Sequence, residues 1–202
     1  MRKVPRVEIC GGIASGKTTL CLLLAEHGFG AGLENFQSNP FWEAFYQNPA
    51  STAFETELTF FLQHYHGIKT AHTQSLPRIY DHSLLLDLAY ARVTLENKRL
   101  SIFENVFEEI WKEVRPPNLV IHLSCDPETE LSRIRSRARP TEASIGIEYL
   151  SALNSSIKYV LEEFHSTVDV HVIDSANANF ATDSLAKVEV VAAIVDVIST
   201  RI

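Results

Sequence analysis

The sequence predicts an α/β fold, a five-stranded parallel sheet with helices on both faces. Three observations carry that prediction. Strand-like and helix-like segments alternate from end to end, a pattern that implies parallel pairing with right-handed crossovers. A glycine-rich turn joins the first strand to the first helix. The chain has 202 residues, 46% hydrophobic and 21% charged, enough for one α/β domain over residues 1–202 with a full core.

Val7 to Cys10 reads as a short strand. Lys17 to His27 reads as a helix whose Leu20, Leu23 and Leu24 share one face, with Gly28 to end it. Gly32-Leu33-Glu34 reads as a strand end, and Asn39-Pro40 opens a short helix that runs to Gln47. Ser51 to Thr73 is a long, aromatic-rich helix, and Arg78 to His82 a strand. Ser83 to Arg115 reads as helix, broken near Asn97 to Ser101 and stopped by Pro116-Pro117. Leu119 to Cys125 has the apolar run of a buried strand. Asp126 is an apt N-cap for a helix from Pro127 to Arg137. Glu148 to Phe164 is a further helix and Asp169 to Asp174 the last strand. Thr182 to Ser199 is the last helix, with Leu185, Val188 and Ala192 on its apolar face. Glu8 stands out inside the first strand, where a central parallel strand is apolar throughout. A tilt toward the sheet end is the one reading it allows.

Composition excludes several classes. No run of 18 apolar residues exists, and the first residues lack the apolar stretch of a secretion signal. The formal net charge of −7 argues against a broad nucleic-acid or membrane surface. Cys10, Cys21 and Cys125 match no zinc spacing, and their apolar neighbours suggest core positions. A reducing cytoplasmic location is expected.

Gly11-Gly12-Ile13-Ala14-Ser15-Gly16-Lys17-Thr18 satisfies G-x-x-x-x-G-K-[ST]. The glycines let backbone N–H groups curl around phosphate oxygens, and the following helix adds its N-terminal partial charge. Lys17 would bridge the β- and γ-phosphates of ATP, Thr18 would hold Mg²⁺, and Thr19 completes the nucleotide-binding run. A chance glycine-rich turn is the bland alternative, but the strand before and the amphipathic helix after are the context the motif needs. The motif fits a P-loop kinase fold, but the loop alone does not separate kinases from GTPases, ATPases or motor proteins.

A kinase needs a base near the acceptor hydroxyl, a carboxylate supporting the cation, and positive charge over the transferring phosphoryl. Carboxylates at strand C-termini are the natural candidates. Glu34 and Asp81 stand there, although a solvated loop Glu and a helix-capping Asp are equally good readings. Arg133, Arg135, Arg137 and Arg139 form a dense basic run before the polar segment Pro140 to Ser144. A charge run is usually a solvated helix face; the absence of interleaved acids favours an Arg-rich lid over about residues 137–147 that carries guanidinium groups onto phosphate.

Over nearly its whole length the chain resembles the deoxynucleoside kinase family, in order and in spacing. The motifs that carry the resemblance are GGIASGKT, the Glu after the first helix (Glu34), Asp81-His82-Ser83 for the family's [ED]-R-S, and Arg133, Arg137, Arg139 and Glu142 for its lid. The resemblance implies Glu34 as the base, Tyr46 and Glu142 as sugar-binding groups, and Asn179 and Phe180 in the loop that grips the donor adenine. Two departures stand out. His82 replaces an arginine that orients the base. Glu57 replaces a Gln, eleven residues after Tyr46, that reads the nucleobase. An ionised Glu57 only accepts hydrogen bonds, which predicts amino-bearing bases and poor thymidine phosphorylation. His64 and Asp87 match positions in the same pocket, and His64 stands where it could neutralise Glu57 from two turns away on one helix; ordinary helix-surface polarity is as good a reading of all three. Phe36, Phe41, Phe60 and Phe61 are candidates to sandwich a base, with core packing expected for most of them.

The expected reaction is in-line phosphoryl transfer from ATP to the 5′-hydroxyl of a deoxynucleoside, a nucleotide-salvage step. Lys17, Glu34, Asp81, Arg133 and Arg137 would be the catalytic residues, with Mg²⁺ on Thr18 and Asp81. The departures leave two rivals: a kinase for another small alcohol, or a regulatory subunit without turnover. Apolar residues on the helices from Ser51 and from Ser83, including Phe54, Leu58, Leu62, Tyr65, Leu84 and Leu88, together with the resemblance, imply a homodimer paired through these two helices.

Overall fold

The computed structural model describes residues 5–71 and 77–201. Its strands are β1 (Arg6–Gly11), β2 (Gly30–Gly32), β3 (Arg78–Tyr80), β4 (Leu119–Ser124) and β5 (Val170–Asp174). All pair in parallel, in the order β2-β3-β1-β4-β5. The helices are α1 (Lys17–Glu26), α2 (Trp42–Gln47), α3 (Pro49–Thr70), α4 (Leu84–Thr94), α5 (Asn97–Val114), α6 (Pro127–Arg137), α7 (Ile147–Glu163) and α8 (Ser184–Arg201).

Alternation along β1 splits the core in two. Val7 and Ile9 face α1 and α8 in one cluster with Leu20, Leu24, Ile121 and Ile194. Cys10 faces the other side, where α3, α4, α5 and α7 pack around Phe61, Leu84, Leu88, Phe103 and Leu153. Helices thus cover both faces of a five-stranded parallel sheet.

Glu8 does not tilt toward a sheet end. It is fully buried, accepts the Ser83 hydroxyl at 2.8 Å and the Leu84 N–H at 3.3 Å, and stands 2.9 Å from Arg6 Nε. The carboxylate therefore satisfies the first turn of α4, a helix end with no intrahelical partner for its N–H groups. Ser83 also caps the helix through Leu85 N.

Several boundaries and faces differ from expectation. α3 begins at Pro49, because proline is well suited to the first helical turn; residues 72 and 73 of the expected helix lie outside the described residues. The break between α4 and α5 falls at Leu95 and Glu96, where the backbone is extended. On α8 the buried residues are Val191, Ile194 and Ile198, whereas Leu185 and Val188 are 68% and 65% exposed; packing on α1 selects a face rotated from the expected one. Cys125 is half-buried, with Arg133 Nη1 3.6 Å from its sulfur, rather than in the core. α4 is an interior helix: Leu84 and Leu88 contact neighbouring helices and leave nothing for a second copy. Among the described residues, no helix is long and apolar enough to cross a membrane.

Candidate active site

The strand C-termini and the turns after them bring most of the expected residues to one end of the sheet. β1 ends in the turn from Gly11 to Gly16, where Ala14 (φ 62°) and Gly16 (φ 106°) take left-handed conformations. Such alternation aims successive N–H groups into one concavity. A side chain at Gly16 would also strike the Phe180 ring, and one at Gly12 the Glu130 carboxyl, so both positions need glycine on steric grounds. Ile13 and Ser15 are buried beneath the turn. Lys17 reaches back over it and donates to the carbonyls of Gly11 (2.9 Å) and Gly12 (2.8 Å). Burial lowers the Lys17 ammonium from its ordinary value, against the pull of Glu34 and other nearby acids. Thr18 and Thr19 follow on the first turn of α1.

Asp81, buried just past β3, ties the loop to the segment after β2. One carboxylate oxygen accepts the Thr18 hydroxyl at 2.7 Å; the other accepts the Glu34 N–H at 2.6 Å. Glu34 is held two residues beyond β2, with about a third of its side chain exposed. Burial alone would raise its carboxyl; the His64, Lys17 and Arg139 charges outweigh that and hold it below its ordinary value.

His64 sits between two carboxylates. Its Nδ1 is 3.0 and 2.9 Å from the two oxygens of Asp87, and its Nε2 is 3.3 Å from Glu34 Oε1. Burial pulls the imidazole down, yet the two acids push it up to about 10. His82 stacks on it, ring centroids 3.9 Å apart and planes 10° apart. Burial, then the His64 charge, drives His82 well below its ordinary value, so it is neutral. His64 therefore does not neutralise Glu57. Glu57 stands 3.0 Å from the Thr94 hydroxyl, and burial pushes its carboxyl up to about 8. Burial thus favours a protonated Glu57 over the ionised, acceptor-only group expected from the sequence.

The basic run is not free of acids in space. Arg137 Nη2 is 2.6 Å and Arg139 Nη1 3.4 Å from the carboxylate of the buried Glu142. Arg139 lies over the Phe36 ring, 4.9 Å from its centre. Arg133 turns toward the loop and donates to Ala14 O (3.4 Å) and Ser175 O (2.6 Å). Tyr46 on α2 is near enough to Glu142, Glu57 and Glu34 to feel their charges. Phe180 is buried against the loop, and Asn179 lies exposed beside it. Phe61 is core, packed against Phe103 and Phe107, whereas Phe60 lies 6.0 Å from the His64 ring.

Two residues escaped the sequence reading, Tyr90 and Glu130. Tyr90, one turn after Asp87, and Tyr149 share the electrostatic surroundings of Tyr46 and Glu57. Glu130 is fully buried beneath the loop and bonded by Asn154 at 3.1 Å. A polar residue on the buried face of an otherwise exposed helix is the signal that marks Glu130.

A cavity of about 210 Å³ opens beside Glu34, against Gln63, His64, Tyr80 and His82. A larger, more open depression of about 520 Å³ lies between α6 and α7, against Leu131, Arg135 and Ile147, and reaches none of these groups. Among the described residues, no three His, Cys, Asp or Glu side chains converge as a metal site. The Thr18 hydroxyl and Asp81 carboxylate, 2.7 Å apart, are hard oxygen donors of the kind that suits Mg²⁺ arriving with phosphate oxygens.

The deoxynucleoside kinase family model matches residues 7–199. The chain is 28% identical over 188 residues to the deoxyguanosine kinase of Bacillus subtilis, covering 89% of this chain and 91% of that one. It is 24% identical over 170 residues to the deoxyadenosine kinase of Dictyostelium discoideum, covering 81% and 69%. The fold is similar to that of M. mycoides deoxyadenosine kinase with bound dCTP, with a TM-score of 0.80 at 20% identity and coverage of 95% and 98%. With a family match over almost its full length, the chain belongs to the deoxynucleoside kinase family.

Proposed function

We propose that this protein transfers the γ-phosphoryl group of ATP to the 5′-hydroxyl of a deoxynucleoside. One observation carries the reading: Asp81 holds both the Thr18 hydroxyl of the phosphate loop and the backbone of Glu34. A single carboxylate thereby fixes the spacing between the donor's phosphates and the acceptor's base.

Glu34, kept ionised by His64 and Lys17, accepts the 5′-hydroxyl proton as the oxygen attacks. Lys17 turns from the Gly11 and Gly12 carbonyls onto the phosphates, and the loop N–H groups cradle their oxygens. Arg133, beside Ala14, and Arg137 place positive charge over the transferring group. Thr18 and Asp81 would hold Mg²⁺, which would neutralise charge on the transferring phosphates. Residues 137–147 act as the lid. Arg139 and the Asn179–Phe180 turn border the nucleotide, and Tyr46 and Glu142 take the sugar. Glu57, His64, His82 and Asp87 line the acceptor side.

Homodimer formation belongs to the same reading. With α4 interior, the surface for it lies on α3, where Leu62 is 43% exposed and Phe54, Leu58 and Tyr65 are half-buried. A monomeric mass at micromolar concentration would remove this part.

The deciding experiment is ATP turnover against a panel of deoxynucleosides and other alcohols, for the wild type and Glu34→Gln. A deoxynucleoside is expected as best acceptor, with a loss of roughly 10²–10⁴-fold in the variant. Turnover with other alcohols only would move the protein to a different acceptor. A variant as fast as wild type would make Glu34 a bystander.

A further inference from the structure

We propose that His64 is the positioning residue of the phosphoryl-transfer step: clamped by Asp87, it holds the Glu34 carboxylate in line for the acceptor hydroxyl. The proposal rests on the reading of Glu34 as base and adds to it the group that orients that base.

The geometry is a chain of three side chains from three segments. Asp87 on α4 grips Nδ1 of His64 on α3 with both oxygens, at 3.0 and 2.9 Å. The opposite ring nitrogen lies 3.3 Å from a Glu34 oxygen, beyond β2, an ion-pair contact short of hydrogen-bond alignment. A ring fixed at one nitrogen has its other nitrogen fixed in direction, so a carboxylate on a loop acquires the rigidity of two packed helices. His64 and Asp87 are both buried, at 6% exposure each. Their pairing also limits what His64 can do otherwise: both Asp87 oxygens are engaged on it, and its ring face is covered by His82 at 3.9 Å.

The arrangement accounts for His82. An imidazole at that position is too short to fork onto Glu34, and among the described residues no group bonds its buried Nδ1. It serves as a flat platform that fixes the plane of the His64 ring. The orienting cation has moved from the turn after β3 to the middle of α3. Two imidazoles stacked this closely do not both carry charge, and the acids lie around His64. Phe60 also lies near the His64 ring, centroids 6.0 Å and planes 24° apart.

A double-mutant cycle tests this with the best deoxynucleoside. The measurements are kcat, ATP KM and thermal midpoint for His64→Gln, Glu34→Gln and the double variant. His64→Gln is expected to lower kcat roughly ten- to hundredfold with little change in ATP KM. Added to Glu34→Gln, it is expected to cost less than about twofold more, because groups acting as a unit are not additive. Asp87→Asn, which leaves the ring in place, is expected to repeat the pattern and stands in should His64→Gln fail to fold. Losses that multiply would overturn the proposal, since His64 would then be acting on the fold or the acceptor ring. A Glu34→Gln enzyme with the wild-type rate would overturn both the proposal and the base assignment beneath it, a result distinct from multiplying losses.

Discussion

The Thr94 hydroxyl lies 3.0 Å from Glu57 Oε1 and 3.0 Å from the Tyr90 carbonyl. A hydroxyl has one proton to give. If it goes to Glu57 Oε1, the proton of a neutral Glu57 carboxyl sits on Oε2, free for a ligand. Burial pushes that carboxyl up to about 8. In that state Glu57 offers one donor and one acceptor, much as a Gln does. It should therefore pair with thymine as readily as with adenine at pH 7. As pH rises through 8 the donor is lost, and thymine's carbonyls face a carboxylate. The kcat/KM ratio of deoxyadenosine to thymidine should rise roughly tenfold or more between pH 6.5 and 9.5, and should stay flat in Glu57→Gln. A flat ratio in the wild type would show that Glu57 does not read the base.

Lys17→Ala should lower phosphoryl transfer by at least about a hundredfold. Its ammonium bonds two loop carbonyls, and losing those bonds at a partly open turn leaves the core untouched. Circular dichroism and the thermal midpoint should match wild type. More than a few per cent residual activity would take the lysine out of the mechanism.

Glu8→Leu should destabilise the fold by roughly 3–5 kcal/mol, the cost of leaving a buried charged group without its partner. The substitution removes the acidic partner of Arg6, which keeps its bonds to the Val114 and Arg115 carbonyls, and leaves the Ser83 hydroxyl and the Leu84 N–H without this acceptor. Glu8→Gln keeps an acceptor for Ser83 and should cost less. Urea midpoints for the two variants check the order; a neutral Glu8→Leu would mean that water replaces the carboxylate.

Glu130 gives a pH dependence of stability. Burial pushes its carboxyl up to about 7 from an ordinary 4.5. Between those values the folded chain holds a proton that the unfolded chain has released. The associated stability is complete below about 4.5 and is lost as pH rises through 7. Wild type should therefore lose stability between pH 5.5 and 8.5. Glu130→Gln, which cannot ionise, should lose less, the difference being about 1–3 kcal/mol. Equal losses in urea titrations at the two pH values would place the Glu130 carboxyl in water.

The sequence by itself determined the alternation of strands and helices, the phosphate loop and the acidic residues at the strand ends, because these rest on local chemistry. Periodicity placed Leu20, Leu23 and Leu24 in the core, and a glycine-lysine-threonine turn after a strand has few other uses. Tertiary structure decided what contact alone decides. Glu8 was an anomaly until α4 brought Ser83 and Leu84 to it. The buried face of α8, Val191, Ile194 and Ile198, is the one that packs on α1, rotated from the face read through Leu185 and Val188. The arginine run had no balancing acid nearby until a short turn folded Glu142 back onto it. Above all, charge states were not legible. Glu57, His64 and His82 differ from ordinary helix-surface residues only through burial and through which neighbours face them. Those neighbours come from α3, α4 and the turns after β2 and β3, segments far apart in sequence that only the closed sheet brings together.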